Sequence, residues 1–182
     1  HYLELGYGQG SSLVVHATSN DGEFWGTDFN PEHTLVAQNL LRSGKARGRI
    51  LNDSFAELSQ KSAAGLLPNF DVIVLHGIWS WISVENQKHI LDIVSHSLAP
   101  GGIVYVSYNC MPGWANFTPV RDFLSFHASA YNYSANTSTS KLQGAFTLLK
   151  TLHDGGAQYF AANPAAEHKI ARMQQQSLSY IV

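Results

Sequence analysis

Short apolar runs alternate with longer stretches whose apolar residues recur at helical spacing through the first two-thirds of the chain. That alternation predicts a parallel sheet joined by crossover helices. Tyr2 to Leu5 is expected to be a first strand, followed by a glycine-rich turn from Gly6 to Gly10. Ser11 or Ser12 is placed to cap the next helix, with Leu13, Val14 and Ala17 facing the sheet. A second strand from Glu23 to Thr27 ends at Asp28, and Asn30, Pro31 and Glu32 spell a helix start. Val36 and Leu40 are the expected inner face of that helix, and Gly44 its stop.

Arg49 to Leu51 predicts a third strand and Phe55 to about Ala64 a helix. Phe70 to Leu75 is apolar on both faces, as a central parallel strand should be. Ser83 caps a helix with Ile90, Leu91, Val94 and Leu98 as its predicted buried stripe. A turn at Pro100-Gly101-Gly102 leads to a fifth strand, Ile103 to Tyr108. After Trp114 the pattern turns helical, over Val120 to Tyr133, Lys141 to His153 and Ala165 to Ser179, with a polar loop at Asn132 to Ser140. Right-handed crossovers then give a Rossmann-like three-layer α/β/α fold with strand order 3-2-1-4-5. The domain division expected is 1–114 for the α/β core and 115–182 for a helical segment.

Composition narrows the field. The 182 residues are 45% hydrophobic and 13% charged, a globular profile. A formal net charge of −2 gives no long-range positive field for nucleic acid. Arg42, Lys45, Arg47 and Arg49 are expected to be a helix end and a turn. Cys110 is alone, so no internal disulfide or multi-cysteine zinc site is expected, and His89 and His96 lack a third ligand, so no metal is expected. The longest apolar run, Val72 to Ile82, is broken by His76, Gly77 and Ser80, which argues against a membrane span. A cytoplasmic protein is expected, and the start at His1 with a strand almost at once suggests a piece of a longer chain.

The chemistry is concentrated at the ends of the predicted strands. Glycines at 6, 8 and 10 allow a sharp turn and close approach of a ligand to the backbone, ahead of free helix N–H groups. The dinucleotide fingerprint needs a glycine at its sixth position, but Ser11 stands there counting from Gly6, and Leu13 counting from Gly8. Asp28 is placed to accept ribose hydroxyls, or else to cap the following helix. His76-Gly77-Ile78-Trp79-Ser80-Trp81 follows the fourth strand beside the switch point between strands one and four, where open α/β sheets bind ligands. His76 there either lines the site or is structural.

Glu4-Leu5-Gly6-Tyr7-Gly8-Gln9-Gly10, an acidic residue followed by G-x-G-x-G, resembles the first motif of class I S-adenosylmethionine-dependent methyltransferases. The resemblance spans residues 1 to about 110. A narrower one, carried by residues 76–81, by Ser107 to Trp114 and by Pro119-Val120-Arg121-Asp122, is to bacterial methyltransferases with a regulatory domain, a family that includes protein lysine methyltransferases. It implies S-adenosylmethionine or S-adenosylhomocysteine held by Glu4, Gly6, Tyr7, Gly8, Gly10, Asp28, Phe29, Asp53, Ser54, Phe55, His76 and Gly77. Asp53 and Phe55 would meet the adenine; the alternative makes Asp53 a cap and Phe55 core. Tyr108, Asn109 and His76 are the candidate catalytic residues. Tyr7, Trp79, Trp81 and Trp114 are further candidates for the acceptor side, with core packing as the alternative for the tryptophans.

The family's leading helix and closing antiparallel strand pair are not evident in this sequence. Their absence would leave apolar surface for a second copy of the chain, so a homodimer is one expectation. The methyl acceptor is a protein, lysine first, or a small molecule; nucleic acid and membrane are not expected as partners. Three rivals stay open: a cofactor-binding protein without catalysis, a nicotinamide-dependent oxidoreductase and an interaction domain on the same scaffold.

Overall fold

The computed structural model describes residues 1–130 and 138–175. It divides into two compact units, His1–Asn109 and Cys110–Val182.

The first unit is a five-stranded parallel sheet of order β3-β2-β1-β4-β5, as the crossover argument predicts. Its strands are β1 (Tyr2–Leu5), β2 (Phe24–Thr27), β3 (Gly48–Leu51), β4 (Phe70–Leu75) and β5 (Leu98–Val106). The helices α1 (Ser11–Ser19) and α2 (Pro31–Ser43) pack on one face, and α3 (Phe55–Ala63) and α4 (Val84–Ser97) on the other. The period-two alternation of strands assigns the faces. Leu3 and Leu5 join Trp25, Ile73, Leu75, Leu58, Ile90 and Ile93 in the larger core. Phe24 joins Tyr7, Leu13 and Ala37 in the smaller one.

Several local expectations are corrected. The N-cap of α1 is Gly10 in the left-handed region, with no side-chain cap; Ser12 instead donates its hydroxyl to the buried Glu4 carboxylate. The inner face of α2 is Thr34, Ala37 and Leu41, and Val36 and Leu40 are exposed. The cause is close packing: a Cβ on Gly10 would lie 2.6 Å from the Ala37 Cβ, so the contact admits only small residues. In α4 the buried residues are Ile90, Ile93 and Ser97, while Leu91 is exposed. Ser97 faces inward because its hydroxyl pairs with Ser62 of α3 at 2.5 Å. The Pro100-Gly101-Gly102 turn does not precede β5 but lies within it, since an irregularity opposite Phe70–Val72 absorbs the extra residues and Leu98 already pairs with Phe70. The strand then stops at Val106, before Tyr108.

The second unit contains α5 (Thr118–Ala130), α6 (Ser138–Asp154), α7 (Gln158–Ala162) and α8 (Pro164–Gln175). Their core is built on Phe117, Val120, Leu124, Phe146, Leu149, Phe160 and Ile170. The short α7 is an addition to the elements the sequence predicts, having too few residues to show a period. The expected loop at Asn132 to Ser140 is helix from Ser138 on; its residues 132–137, and 176–179 of the predicted last helix, lie outside the described residues. Among the described residues no helix is long and apolar enough to cross a membrane.

Candidate cofactor and methyl-acceptor site

Parallel order brings the carboxyl ends of β1, β2, β3 and β4 to one edge of the sheet, with the turn after each strand beside its neighbours. Gly6, Gly8 and Gly10 all have positive φ, 72°, 58° and 79°, a conformation costly for other residues. The turn after β1 is therefore written into the glycines.

Asp28 fixes that turn. One carboxylate oxygen accepts the Gly8 N–H at 2.9 Å. The other accepts the Asn30 N–H at 3.0 Å and lies 3.1 Å from His33 Nδ1. The side chain is 8% exposed, so these partners are what stabilise its buried charge. A carboxylate offers about four lone-pair sites. Among the described residues three groups meet it, the Gly8 and Asn30 N–H groups and His33 Nδ1. Asp28 is not the cap of α2; the Asn30 side chain accepts from Glu32 N–H and fills that role.

The next turn is tied to the same edge. Thr27 Oγ1 donates to the Asp53 carbonyl at 2.6 Å, and Asn52 Nδ2 to the Asp28 carbonyl at 2.9 Å. Thr27 does not stand out in the sequence and matters through its position in the register, whereas Asn52 opens the Asn52–Phe55 turn that follows the third predicted strand. Asp53 pairs with Lys61 Nζ at 2.7 Å. Ser54 is the N-cap of α3 in a capping box with Glu57. Phe55 is partly buried against the larger core. Phe29 is 65% exposed.

The turn after β4 crosses the glycine turn. A Cβ on Gly6 would meet the Ile78 side chain at 3.0 Å and the Phe55 ring at 3.8 Å. Ile78 and Phe55 thus form apolar walls beside Gly6. Ile78 lies inside a motif legible in the sequence but does not stand out there, because an aliphatic residue carries no chemical signal. Gly77 has φ 74° and open space around it. His76 is exposed, its ring stacked with Tyr105 at 6.4 Å and its Nδ1 3.2 Å from Ser107 Oγ. The loop after β5 is fastened to the same turn: Asn109 N–H donates to Ser80 Oγ at 2.8 Å. Tyr108 beside it is 59% exposed, Trp81 47% exposed, and Trp79 packs partly into the larger core.

Three of the expected residues act differently from a ligand-facing side chain. Tyr7 is buried; its hydroxyl bridges Thr34 Oγ1 at 3.0 Å and the Leu51 carbonyl at 3.1 Å, and burial pushes its pKa up to about 12. Tyr7 therefore gives the turn its main chain only. Glu4 is buried with Ser12 and Tyr2 as hydroxyl donors, so it fastens α1 to β1, and burial raises its carboxyl above the ordinary range. Trp114 belongs to the second unit, packed on Phe117 with Lys169 Nζ 3.9 Å above its ring. Cys110 is exposed, and no metal-binding group of His, Cys, Asp or Glu is found among the described residues. Two shallow concavities, one bordered by Gln38 and Arg42 and one by Asp21 and Lys45, do not include the carboxyl-edge residues.

Proteins of known sequence and structure share this fold. Residues 3–104 match the family model described as a methyltransferase domain. A protein of Synechocystis sp. is 32% identical over 186 residues, covering 100% of this chain and 35% of its own length. A Rickettsia prowazekii protein is 32% identical over 154 residues, covering 84% of this chain and 58% of its own. Among solved structures, PKMT2 from Rickettsia typhi in complex with AdoHcy is 29% identical with a TM-score of 0.60, covering 99% of this chain and 34% of that one. The chain thus spans about a third of the Synechocystis and Rickettsia typhi proteins. With the match extending over more than half of the chain, this protein belongs to the methyltransferase-domain family.

Proposed function

We propose that this chain is the S-adenosylmethionine-binding part of a methyltransferase whose acceptor is a protein lysine. One observation carries the cofactor reading. The Gly6–Gly10 turn, with positive φ at all three glycines, is held at the carboxyl edge by the Asp28 carboxylate. The family match and the likeness to a methyltransferase crystallised with AdoHcy support it.

When bound, S-adenosylmethionine would supply an electrophilic methyl group. The protein's task is then positioning. Gly6 and Gly8 let the main chain come close to the ligand. Asp28 would hold the ribose, while Ile78 and Phe55 would offer apolar faces to the adenine, with Asp53 oriented by Lys61. A lysine reaches the site as an ammonium and must lose a proton before it attacks. His76 stands at the turn after β4, with Tyr108 and Asn109 on the neighbouring loop. We assign the proton to His76 and the orientation of the amine to Tyr108 and Asn109. Trp81 on the same turn is half-exposed.

The lysine acceptor rests on the similarity to PKMT2 and on the motif resemblance of residues 76–81 and 107–114. It is tested by incubating the chain with radiolabelled S-adenosylmethionine and lysine-bearing probe peptides, with arginine-bearing peptides as control. Label on lysine alone supports the reading. Cofactor binding with no label on lysine refutes the acceptor and keeps the cofactor.

A further inference from the structure

The hydroxyl of Ser107 stands where the turns after β4 and β5 meet. Its position is set by the backbone: Ser107 N–H donates to the Leu75 carbonyl at 3.0 Å, continuing the β4–β5 pairing past Val106. From there Oγ accepts the Gly77 N–H at 2.7 Å and lies 3.2 Å from His76 Nδ1. The His76 ring is also stacked with Tyr105, so two contacts on β5 and its exit hold its plane. His76 Nε2 has no partner among the described residues.

A serine hydroxyl has two acceptor lone pairs and one hydrogen. The Gly77 N–H takes one lone pair. The second can accept Nδ1–H, or the hydroxyl can donate to a bare Nδ1. The separation of 3.2 Å fits an Nδ1–H···O bond, at the upper end of the range of about 2.7–3.2 Å. The partner of one ring nitrogen decides which tautomer the other presents. A hydrogen on Nδ1 leaves Nε2 with a free lone pair.

We propose that Ser107 is a positioning residue: its hydroxyl accepts from both Gly77 N–H and His76 Nδ1–H, so that Nε2 is the basic atom His76 presents to the methyl acceptor. The role of His76 at the acceptor rests on the function proposed above; the tautomer does not. Among the described residues no other group bonds to the ring nitrogens, and the oxygens of Glu4 on β1 are held by Ser12 and Tyr2. Tyr105 offers its ring face.

The experiment is nitrogen-detected NMR of the histidine rings in this chain at a pH where His76 is neutral, in the wild type, Ser107→Ala and Ser107→Thr. The His76 signal is assigned by its loss in His76→Gln. The wild type is expected to hold mostly the Nδ1–H form. Ser107→Ala should revert to mostly Nε2–H, the form preferred by the histidine side chain free in water, and Ser107→Thr should restore Nδ1–H. Ser107→Ala keeps the main-chain bond to Leu75, and retained β4–β5 amide contacts confirm its fold. A wild-type ring in the Nε2–H form, or a tautomer ratio unchanged in Ser107→Ala, overturns the proposal. Titration of the same samples with S-adenosylhomocysteine separates the two readings. Absence of binding by the wild type refutes the proposed function, while the ring signals still decide the role of Ser107.

Discussion

Replacing Gly10 with alanine should damage the first unit by two separable routes. Gly10 sits at φ 79°, where an L side chain meets its own backbone at a cost of about 1–2 kcal/mol. Its new Cβ would also lie 2.6 Å from the Ala37 Cβ and 3.2 Å from the Ala37 Cα, an overpacking that costs about 1–3 kcal/mol. The expected loss is the sum, about 2–5 kcal/mol, a large part of a typical domain's stability. Ala37→Gly alone costs about 0.5–1 kcal/mol for a glycine inside a helix. In the double variant the 2.6 Å contact disappears while the 3.2 Å approach to the residue 37 Cα and the φ penalty remain. The cycle should therefore show a favourable coupling of at most about 1–3 kcal/mol. The assay is urea unfolding followed by tryptophan fluorescence, since Trp25, Trp79 and Trp81 lie in the first unit. Additive effects of the two substitutions would refute the packing argument. The small inner face of α2 would then lose its physical cause.

Three further outcomes are expected. Glu4 has a carboxyl raised by burial, so its contribution to stability is full below the unfolded-state value and is lost as pH rises through the folded-state value. Glu4→Gln should flatten that fall in a series of urea midpoints across the carboxylate range, and an unchanged slope would contradict the assignment. Lys169→Gln removes the cation above Trp114 and should cost the helical unit about 0.5–1 kcal/mol, read from thermal unfolding by Trp114 fluorescence in a variant lacking the other tryptophans; no change would argue against the contact. Asn52→Ala should lower S-adenosylhomocysteine affinity while leaving the contacts at Gly6 in place, because it frees the turn after β3 from the Asp28 carbonyl; an affinity equal to wild type would show that this tie is dispensable.

The parallel sheet, its order and the glycine turn are legible in the sequence because each is encoded locally. Apolar runs mark strands, glycines mark positive φ, and Asn30-Pro31 marks a helix start. What is not legible depends on distances between elements. Leucine at position 40 has a stronger claim to a core than Thr34 on hydrophobicity alone, yet the close contact at Gly10 and Ala37 turns the smaller face inward. Leu91 loses its expected place for a related reason, since the Ser62–Ser97 pair draws α3 and α4 together on another face. Ser12 is expected at a helix cap because its type suits one, but a buried carboxylate one strand away is the stronger partner. At the site, Asp28 is legible from its place at the end of the second strand, whereas Thr27 is not, and Ile78 and Ser107 lie in motifs that give no sign of their contacts. Their importance comes from what the sheet register sets beside them.

The central claim is that Asp28, through the Gly6–Gly10 turn, makes the carboxyl edge an S-adenosyl site. The direct measurement is isothermal titration of this chain with S-adenosylhomocysteine and, separately, with NAD, in the wild type and in Asp28→Ala. Saturable binding of S-adenosylhomocysteine alone, abolished in a variant that still unfolds cooperatively, is the predicted result. Binding that survives Asp28→Ala, or binding of NAD in its place, would contradict the account.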